Sequence, residues 1–542
     1  MKKRLAAVLA AIMCVTCAAT ATGCGNKNKT DNDTHIEIYS YQAGYGTDWI
    51  TAAADKFIAK KADEGVTVTF DIWGDSAMQQ ETLIAAGPKT NTVDLFITGG
   101  TSGKSLAKKG DQLLAGYDNV VEPLDDVYET VLENGVTFEQ KLLATAVPEK
   151  LNGHYYDAPW SKAFGGLLFN KTLFDAIGIA EPLTTQDLLD ACEKIKQYYA
   201  ASNESKRPAD KVAPFVFSAP TGYWNYMRDS WWMQYEGADN IVNFYNGIFV
   251  DEDGNMSRSK EIFHQTGRLR ALEVLDALIN RQSGNIHENV NTFSFTEAQA
   301  GMILGKGLMI PNGDWFENEM KSVADEDSNH YDIRMMKMPV ISAITEKCEV
   351  VKSEETLKKV VAAIDLEDEG NARNLDSITE IDTTSQEFES DYAKIRNARH
   401  TYQTISTTTM FIPVYATAKS LAKEFMVFLA SDEGLTTYID NTSGNQMPFR
   451  YDLEADAERW NSLSVFQKDI YKKKKTALYF DDFSSRGVLG LEPYTNGTNI
   501  TEIYFTAKNP EDRKTPISLF EAEYDYWTDA RWTQLKKTSG IS

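Results

Sequence analysis

The sequence predicts an α/β fold in more than one globular domain, and three observations carry that prediction. From His35 onward short β-rich runs alternate with amphipathic helical stretches. The chain has 542 residues, more than one hydrophobic core usually serves. Hydrophobic residues make up 42% and charged residues 25%, too polar for a polytopic membrane protein and too apolar for a disordered chain. The formal net charge is −24, from 55 basic and 79 acidic residues, and no basic tract is long enough to overcome that field. A nucleic-acid partner is therefore excluded.

The first element is a targeting segment. Lys2, Lys3 and Arg4 precede an apolar run from Leu5 to Ala21, the pattern of a secretory signal. The run ends in Ala21-Thr22-Gly23-Cys24, which resembles the bacterial lipobox, with Ala21 where Leu is commoner. That resemblance implies cleavage after residue 23 and a lipid anchor on Cys24; ordinary cleavage after a small residue is the alternative. Residues 24–34 are polar and Asn-rich, which suits a flexible tether. Of the five cysteines only Cys192 and Cys348 remain for the folded part, and a single bridge between them is possible but not inferable.

Ile36 to Tyr41 reads as a strand, followed by a helix capped by Thr47 with Trp49, Ala53 and Phe57 on one face. Val66 to Trp73 reads as a second strand, Met78 to Ala86 as a helix, and Val93 to Ile97 as a third strand. Helices between strands predict a mostly parallel sheet, whose ligands sit beyond the carboxyl ends of the strands. Tyr41 to Gly46, Trp73 to Ser76 and Thr98 to Ser102 are the segments in that position.

Three further stretches then occur in order: His154 to Trp160, Gly166 to Phe174 and Pro182 to Leu189. Phe295 to Met302 leads into Gly305-Lys306-Gly307-Leu308-Met309-Ile310-Pro311-Asn312-Gly313-Asp314-Trp315-Phe316, and Ala422 to Ser431 is a late helix. Together, over about residues 36–450, they resemble the extracellular solute-binding proteins of ABC importers, specifically the carbohydrate-type class related to maltose-binding protein. The resemblance implies a two-lobed, type II periplasmic-binding-protein-like fold with the ligand in a cleft between lobes. It divides the chain into a first lobe of 35–158 with 335–415 and a second of 159–334 with 416–542. Crossings are expected near Tyr156–Phe164, Met335–Val340 and Pro413–Ser420. It also implies a carbohydrate ligand, an ABC permease as membrane partner, a monomer, and a place on the outer face of the cell membrane or in the periplasm, with no cofactor, no metal and no catalytic residue.

Aromatic residues are 11% of the chain, and flat apolar faces with polar edges are what sugar rings stack on. The candidate ligand-binding residues are Tyr41, Trp73, Asp75, Trp160, Tyr223, Trp224, Asn225, Asp314 and Trp315. Aromatics give stacking faces, and the neighbouring Asp75, Asn225 and Asp314 give hydrogen bonds to hydroxyls, although each also suits a turn or cap. Trp315 follows the expected turn Pro311-Asn312-Gly313 and is a platform or a plug on the core; Trp160 is hinge packing or a platform. Trp224, Met227 or Arg228, and Trp231 share a helical face, while Trp231 and Trp232 are expected to pack inside and Phe295 to be core.

Enzyme motifs mostly fail. Thr98-Gly99-Gly100-Thr101-Ser102-Gly103-Lys104-Ser105 mimics a phosphate-binding loop but has Thr98 in place of its first glycine. Asp251 to Asn255 has a glycine at the wrong place for a calcium loop and reads as a hairpin turn. No nucleophile elbow or paired-histidine zinc motif occurs. A secreted carbohydrate-active enzyme, a receptor for a peptide or other non-sugar solute, and an adhesin remain as alternatives. Two stretches exceed the family's plan. In residues 341–405, the spacing of Leu357, Val360, Val361 and Ile364 predicts a surface helix, and in 455–515 Lys472 to Lys475 reads as a solvated helix face.

Overall fold

The computed structural model describes residues 34–541 except 43, 76, 78, 134, 202–211, 252, 327–329, 443–446, 481–482, 484–486 and 490–499. The expected signal segment, Cys24 and the tether through residue 33 lie outside the described residues. The early apolar runs become strands β1 (His35–Ser40), β2 (Thr69–Trp73) and β3 (Leu95–Thr98). They are joined by β4 (Ala158–Asn170), β5 (Ala213–Phe215), β6 (Ile248–Val250), β7 (Met256–Arg258), β8 (Gly307–Gly313), β9 (Ile333–Met335), β10 (Thr401–Phe411) and β11 (Leu478–Tyr479). The main sheet runs β2-β1-β3-β10-β4-β8-β5, with β9 on β4 and β11 on β10. β1 is parallel to both its neighbours, whereas β10 and β4 run antiparallel to each other, so the sheet is mixed. Helices alternate with the strands along the chain.

The two largest cores on this sheet are joined by β4 and β10, which pass from one to the other, and a smaller cluster around Tyr39, Phe96 and Phe411 packs on the first lobe's strands. Ala158 and Trp160 of β4 pack with Ile36, Ile38, Phe57, Leu95 and Phe425 in the first core. Phe164, Leu167, Leu168 and Phe169 of the same strand pack with Trp224, Trp231, Leu272 and Met309 in the second. β10 makes the reverse passage, with Tyr402 in the second core and Met410 in the first. Its register against β4 slips at Ile405/Thr407 and again at Thr408/Thr409, local irregularities that bend the strand where it passes between the cores.

The expected lobe division needs correction. Met335, Val340, Leu357, Val360, Ile364, Phe388 and Ile395 are buried in the second core, whereas Met410 to Phe449 join the first and Phe466 onward returns to the second. The crossing near Tyr156–Phe164 falls on β4; the others fall on β10 and between Phe449 and Phe466, away from Met335–Val340 and Pro413–Ser420. Amphipathic spacing shows which helix face is buried but carries no label for the core that buries it. The helix Glu354–Asp368 illustrates this, since its apolar face is covered as the spacing predicts, by the other core.

Local expectations divide similarly. Asp251 turns the β6–β7 hairpin, its carboxylate accepting from the backbone N–H of Asp253 and Asn255 at 3.0 and 2.8 Å. Cys192 and Cys348 are both buried and unbridged. Pro311-Asn312-Gly313 is not a turn: it continues β8 opposite Leu167, Gly166 and Gly165. The lysine run is only half solvated. Lys473 is buried against Asp469, and Lys474 pairs with Asp314 at 2.6 Å, while Lys472 and Lys475 are exposed. The phosphate-loop mimic is already filled: the backbone N–H groups of Gly103 and Lys104 donate to the Asp157 carboxylate, the latter at 2.9 Å. A Cβ at Gly103 would meet the Tyr156 carbonyl oxygen at 2.2 Å, so the glycine serves this intramolecular contact. Burial pushes the Asp157 carboxyl up to about 6, with the two N–H donors opposing.

Candidate binding cavity

A cavity of about 410 Å³ lies between the two cores. The first core supplies Ser40 and Tyr41 at the end of β1, Gly44, Tyr45 and Gly46 in the loop after it, Trp49, Ile97 and Tyr438. The passing strands add Trp160, Ser161, Ala163 and Thr408. From the second side come Tyr223, Tyr226, Phe295, Trp315 and Glu319. Most of this wall is aromatic, with hydroxyl groups of tyrosine, serine and threonine set among the rings.

Each aromatic is fixed by packing behind it. Trp160 stacks on Trp49 with ring centroids 5.2 Å apart and meets Tyr438 edge-on. Trp160 packs where β4 passes between the cores and also lines the cavity. Tyr223 and Tyr226 stack on each other at 5.2 Å, and Trp315 stands edge-on to both. The Trp315 ring folds back over Gly313, where a Cβ would lie 2.0 Å from it. Glycine at the end of β8 is what lets the ring occupy that place.

Contacts also cross the cavity rim. The Tyr45 hydroxyl, on the β1 loop, donates to Asp314 at 2.6 Å, and the Asn318 side-chain N–H donates to the Gly44 carbonyl oxygen at 2.9 Å. Asp314 is buried and its other oxygen faces the Lys474 ammonium at 2.6 Å. Burial, with Asp314 adding, holds the Tyr45 hydroxyl protonated far above its ordinary range. These contacts hold the β1 loop against the end of β8.

Two wall atoms are buried polar groups without a protein partner among the described residues: the Ser40 hydroxyl and the Trp160 indole N–H. Glu319 is the one charged wall residue among the described residues. It accepts from the Gln299 side-chain N–H at 2.7 Å, and burial pushes its carboxyl up to about 7. The same burial, reinforced by Glu319, raises Tyr41, Tyr223 and Tyr226.

A sequence profile described as bacterial extracellular solute-binding protein matches residues 43–436. The chain belongs to that family. This solute-binding protein is also 23% identical to the multiple sugar-binding protein of Streptococcus mutans over 167 residues, 31% of the chain and 35% of the relative. The chain thus spans about a third of the curated relative it matches. Its fold is similar to a chitin oligosaccharide binding protein, with TM-score 0.57, 14% identity, and 94% of this chain and 100% of that one covered. It is similar to RafE in complex with raffinose, with TM-score 0.54, 13% identity and coverage of 93% and 99%. It is also similar to maltose-bound MalE3 of T. maritima, with TM-score 0.53, 16% identity and coverage of 93% and 99%. The two-lobed fold is thereby shown.

Of the residues expected at the site, Tyr41, Trp160, Tyr223 and Trp315 line the cavity of this solute-binding protein. Asp314 stands directly behind the wall, holding Tyr45. Trp73 does not reach it: its ring is 40% exposed at the end of β2, edge-on to Tyr39, with its N–H donated to Glu37 at 3.0 Å. Asp75 turns inward on its own loop, accepting from the Tyr39 hydroxyl at 2.7 Å and the Gln79 side chain at 2.6 Å. Trp224 is 0% exposed in the second core against Phe215 and Phe217, on the face it shares with Met227 and Trp231. Asn225 follows it and also lies off the wall. Phe295, expected in the core, is 42% exposed and lines the cavity. Ser40, Tyr45, Trp49, Tyr226, Glu319 and Tyr438 are among the wall residues that sequence reasoning did not name as ligand-binding. Tyr226 carried a signal, three residues after Tyr223 on one helical face, and so did Glu319, four after Trp315. Among the described residues no cluster of His, Cys, Asp or Glu is placed to hold a metal, and no helix is long and apolar enough to cross a membrane.

Proposed function

We propose that this solute-binding protein captures a saccharide in the cavity between its cores and delivers it to the permease of an ABC importer. A lipid on Cys24 would tie it to the outer face of the membrane. The observation that carries the reading is the wall itself, an aromatic enclosure with the Ser40 hydroxyl and Trp160 N–H buried and unpartnered. Rings offer the apolar face of a sugar its contact, and buried polar atoms without protein partners are what its hydroxyls would satisfy. The sugar-binding relatives by name point the same way. A volume of about 410 Å³ is near the low end for small-molecule sites, which favours one or two sugar rings inside and any longer chain emerging from the rim.

No covalent step is needed. A ligand touching both sides favours the closed arrangement in proportion to the contacts it gains there, and the closed form is the one a permease would recognise. Glycoside hydrolysis uses two opposed carboxylates. Recovery of the bound sugar, intact or cleaved, separates capture from hydrolysis.

The test is a thermal-shift and calorimetric screen of the soluble form beginning after Cys24, against mono- and oligosaccharides and peptides. A ligand present at ~100 times its dissociation constant adds about 2.7 kcal/mol. Stabilisation by one saccharide class, with the sugar recovered intact, supports the reading. Stabilisation by peptides only, or recovery of cleaved sugar, overturns it.

A further inference from the structure

We infer that the saccharide taken by this cavity carries a cationic nitrogen, an amino group seated against Glu319 among the rings of Tyr41, Tyr223, Tyr226 and Trp315. The inference rests on the saccharide reading above and narrows its class. Glu319 is the one charged residue on the described wall, and the described residues give it a neutral partner, Gln299, and no Lys or Arg. Five positions earlier the treatment is opposite: Asp314, more deeply buried than Glu319, receives both the Lys474 ammonium and the Tyr45 hydroxyl. A carboxylate withdrawn from water without a counter-charge is costly, and the protein supplies one at Asp314 and leaves it out at Glu319. The missing charge is therefore one for the ligand to bring.

The surroundings favour the same choice. An ammonium group is attracted to aromatic faces as well as to the carboxylate, and both attractions strengthen as water is excluded. A neutral hydroxyl would gain one hydrogen bond with either form of the acid but no pairing of charge. A sugar acid or phosphate would face repulsion from Glu319 with no cation on the described wall to offset it. With its carboxyl near 7 when the cavity is empty, Glu319 is partly protonated at neutral pH, and pairing with an ammonium would drive that proton off.

The experiment is isothermal titration of the soluble protein with glucosamine and galactosamine, with glucose and galactose as hydroxyl counterparts, and with N-acetylglucosamine as an uncharged amide. Each is run at pH 7 in two buffers of different ionisation enthalpy. Expected is at least tenfold tighter binding of an amino sugar than of its hydroxyl counterpart, with net proton release, and loss of that preference in Glu319→Gln. The wild-type comparison stands even if the variant folds poorly. Equal or tighter binding of the neutral sugars overturns this inference and leaves the saccharide reading intact. Binding of none of these sugars, to protein that still unfolds cooperatively and is stabilised by a neutral oligosaccharide, overturns this inference alone; the absence of stabilisation by any mono- or oligosaccharide overturns both.

Discussion

The ends of β2 and β8 are written in nearly the same residues and end in different places. Trp73-Gly74-Asp75 and Gly313-Asp314-Trp315 each put a tryptophan, a glycine and an aspartate at a strand's carboxyl end. In each, a tyrosine from the β1 region donates to the aspartate, Tyr39 to Asp75 at 2.7 Å and Tyr45 to Asp314 at 2.6 Å. Yet β2 is the edge of the sheet, while β8 lies beside β4, the strand that passes between the cores. The first cluster consequently closes on itself within one lobe and the second joins two. Place in the sheet, which no local pattern encodes, decides which tryptophan meets a ligand.

The largest expected effect that tests this contrast is on affinity. Trp315→Ala should weaken saccharide binding at least ~100-fold by calorimetry, since aromatic truncation at an enclosed site costs about 3–5 kcal/mol. Trp73→Ala should leave affinity within about twofold, its ring being exposed and off the wall. Equal losses in the two variants would erase the distinction between the strand ends.

Next is the charge behind the wall. Lys474→Met leaves the Asp314 carboxylate enclosed with the Tyr45 hydroxyl alone, and removal of one partner from a buried pair costs about 3 kcal/mol or more. A lowered melting midpoint in the unliganded protein is the readout. A change within error would mean that the Lys474–Asp314 pair contributes nothing to stability.

The two tyrosines give a smaller and more diagnostic pair. Tyr45→Phe removes a hydrogen bond between lobes and should cost affinity by about tenfold, in the range of one charge-assisted hydrogen bond. Tyr39→Phe removes its counterpart within a lobe and should lower only the melting midpoint, with affinity unchanged. Small-angle scattering of the unliganded Tyr45→Phe protein should show a more open shape than wild type.

The smallest effect is on pH dependence. Glu319 is raised in the folded protein to about 7 from 4.5, so the folded state holds its proton more tightly than the unfolded chain. The stability this contributes is fully present below the unfolded value and is lost as pH rises through about 7. Glu319→Gln should flatten that part of the melting profile between pH 5 and 8, on the order of 1 kcal/mol. Asp157, raised by burial to about 6, acts in the same direction, so some slope should persist.

Strands β1, β2 and β3 were legible because they alternate with amphipathic helices, and Trp315 because it follows an apolar run broken by glycine. Tyr45 was inside a segment marked for inspection, but its hydroxyl's partner lies far along the chain, beyond local pattern. Tyr438 had no signal at all, since it reaches the cavity only because β10 carries the chain back to the first core. Trp224 was misplaced for a definite reason. Tyr223 and Trp224 stand in the turn that leads into the helix Asn225–Glu236, where neighbouring side chains diverge, so one faces the cavity and the other the core. The lobe boundaries failed because hydrophobic spacing is the same whichever core receives it.

The double passage of β4 and β10 also sets a schedule. Phe57 finds its ring partner in Phe425, 5.3 Å away across the first core, so that core is incomplete until nearly four-fifths of the chain has been made. At ~5–20 residues per second of synthesis, the amino-terminal strands wait on the order of tens of seconds for the helix that covers them. A chain built in this order cannot complete its first core before its late helices exist, whatever the order in which its local elements form.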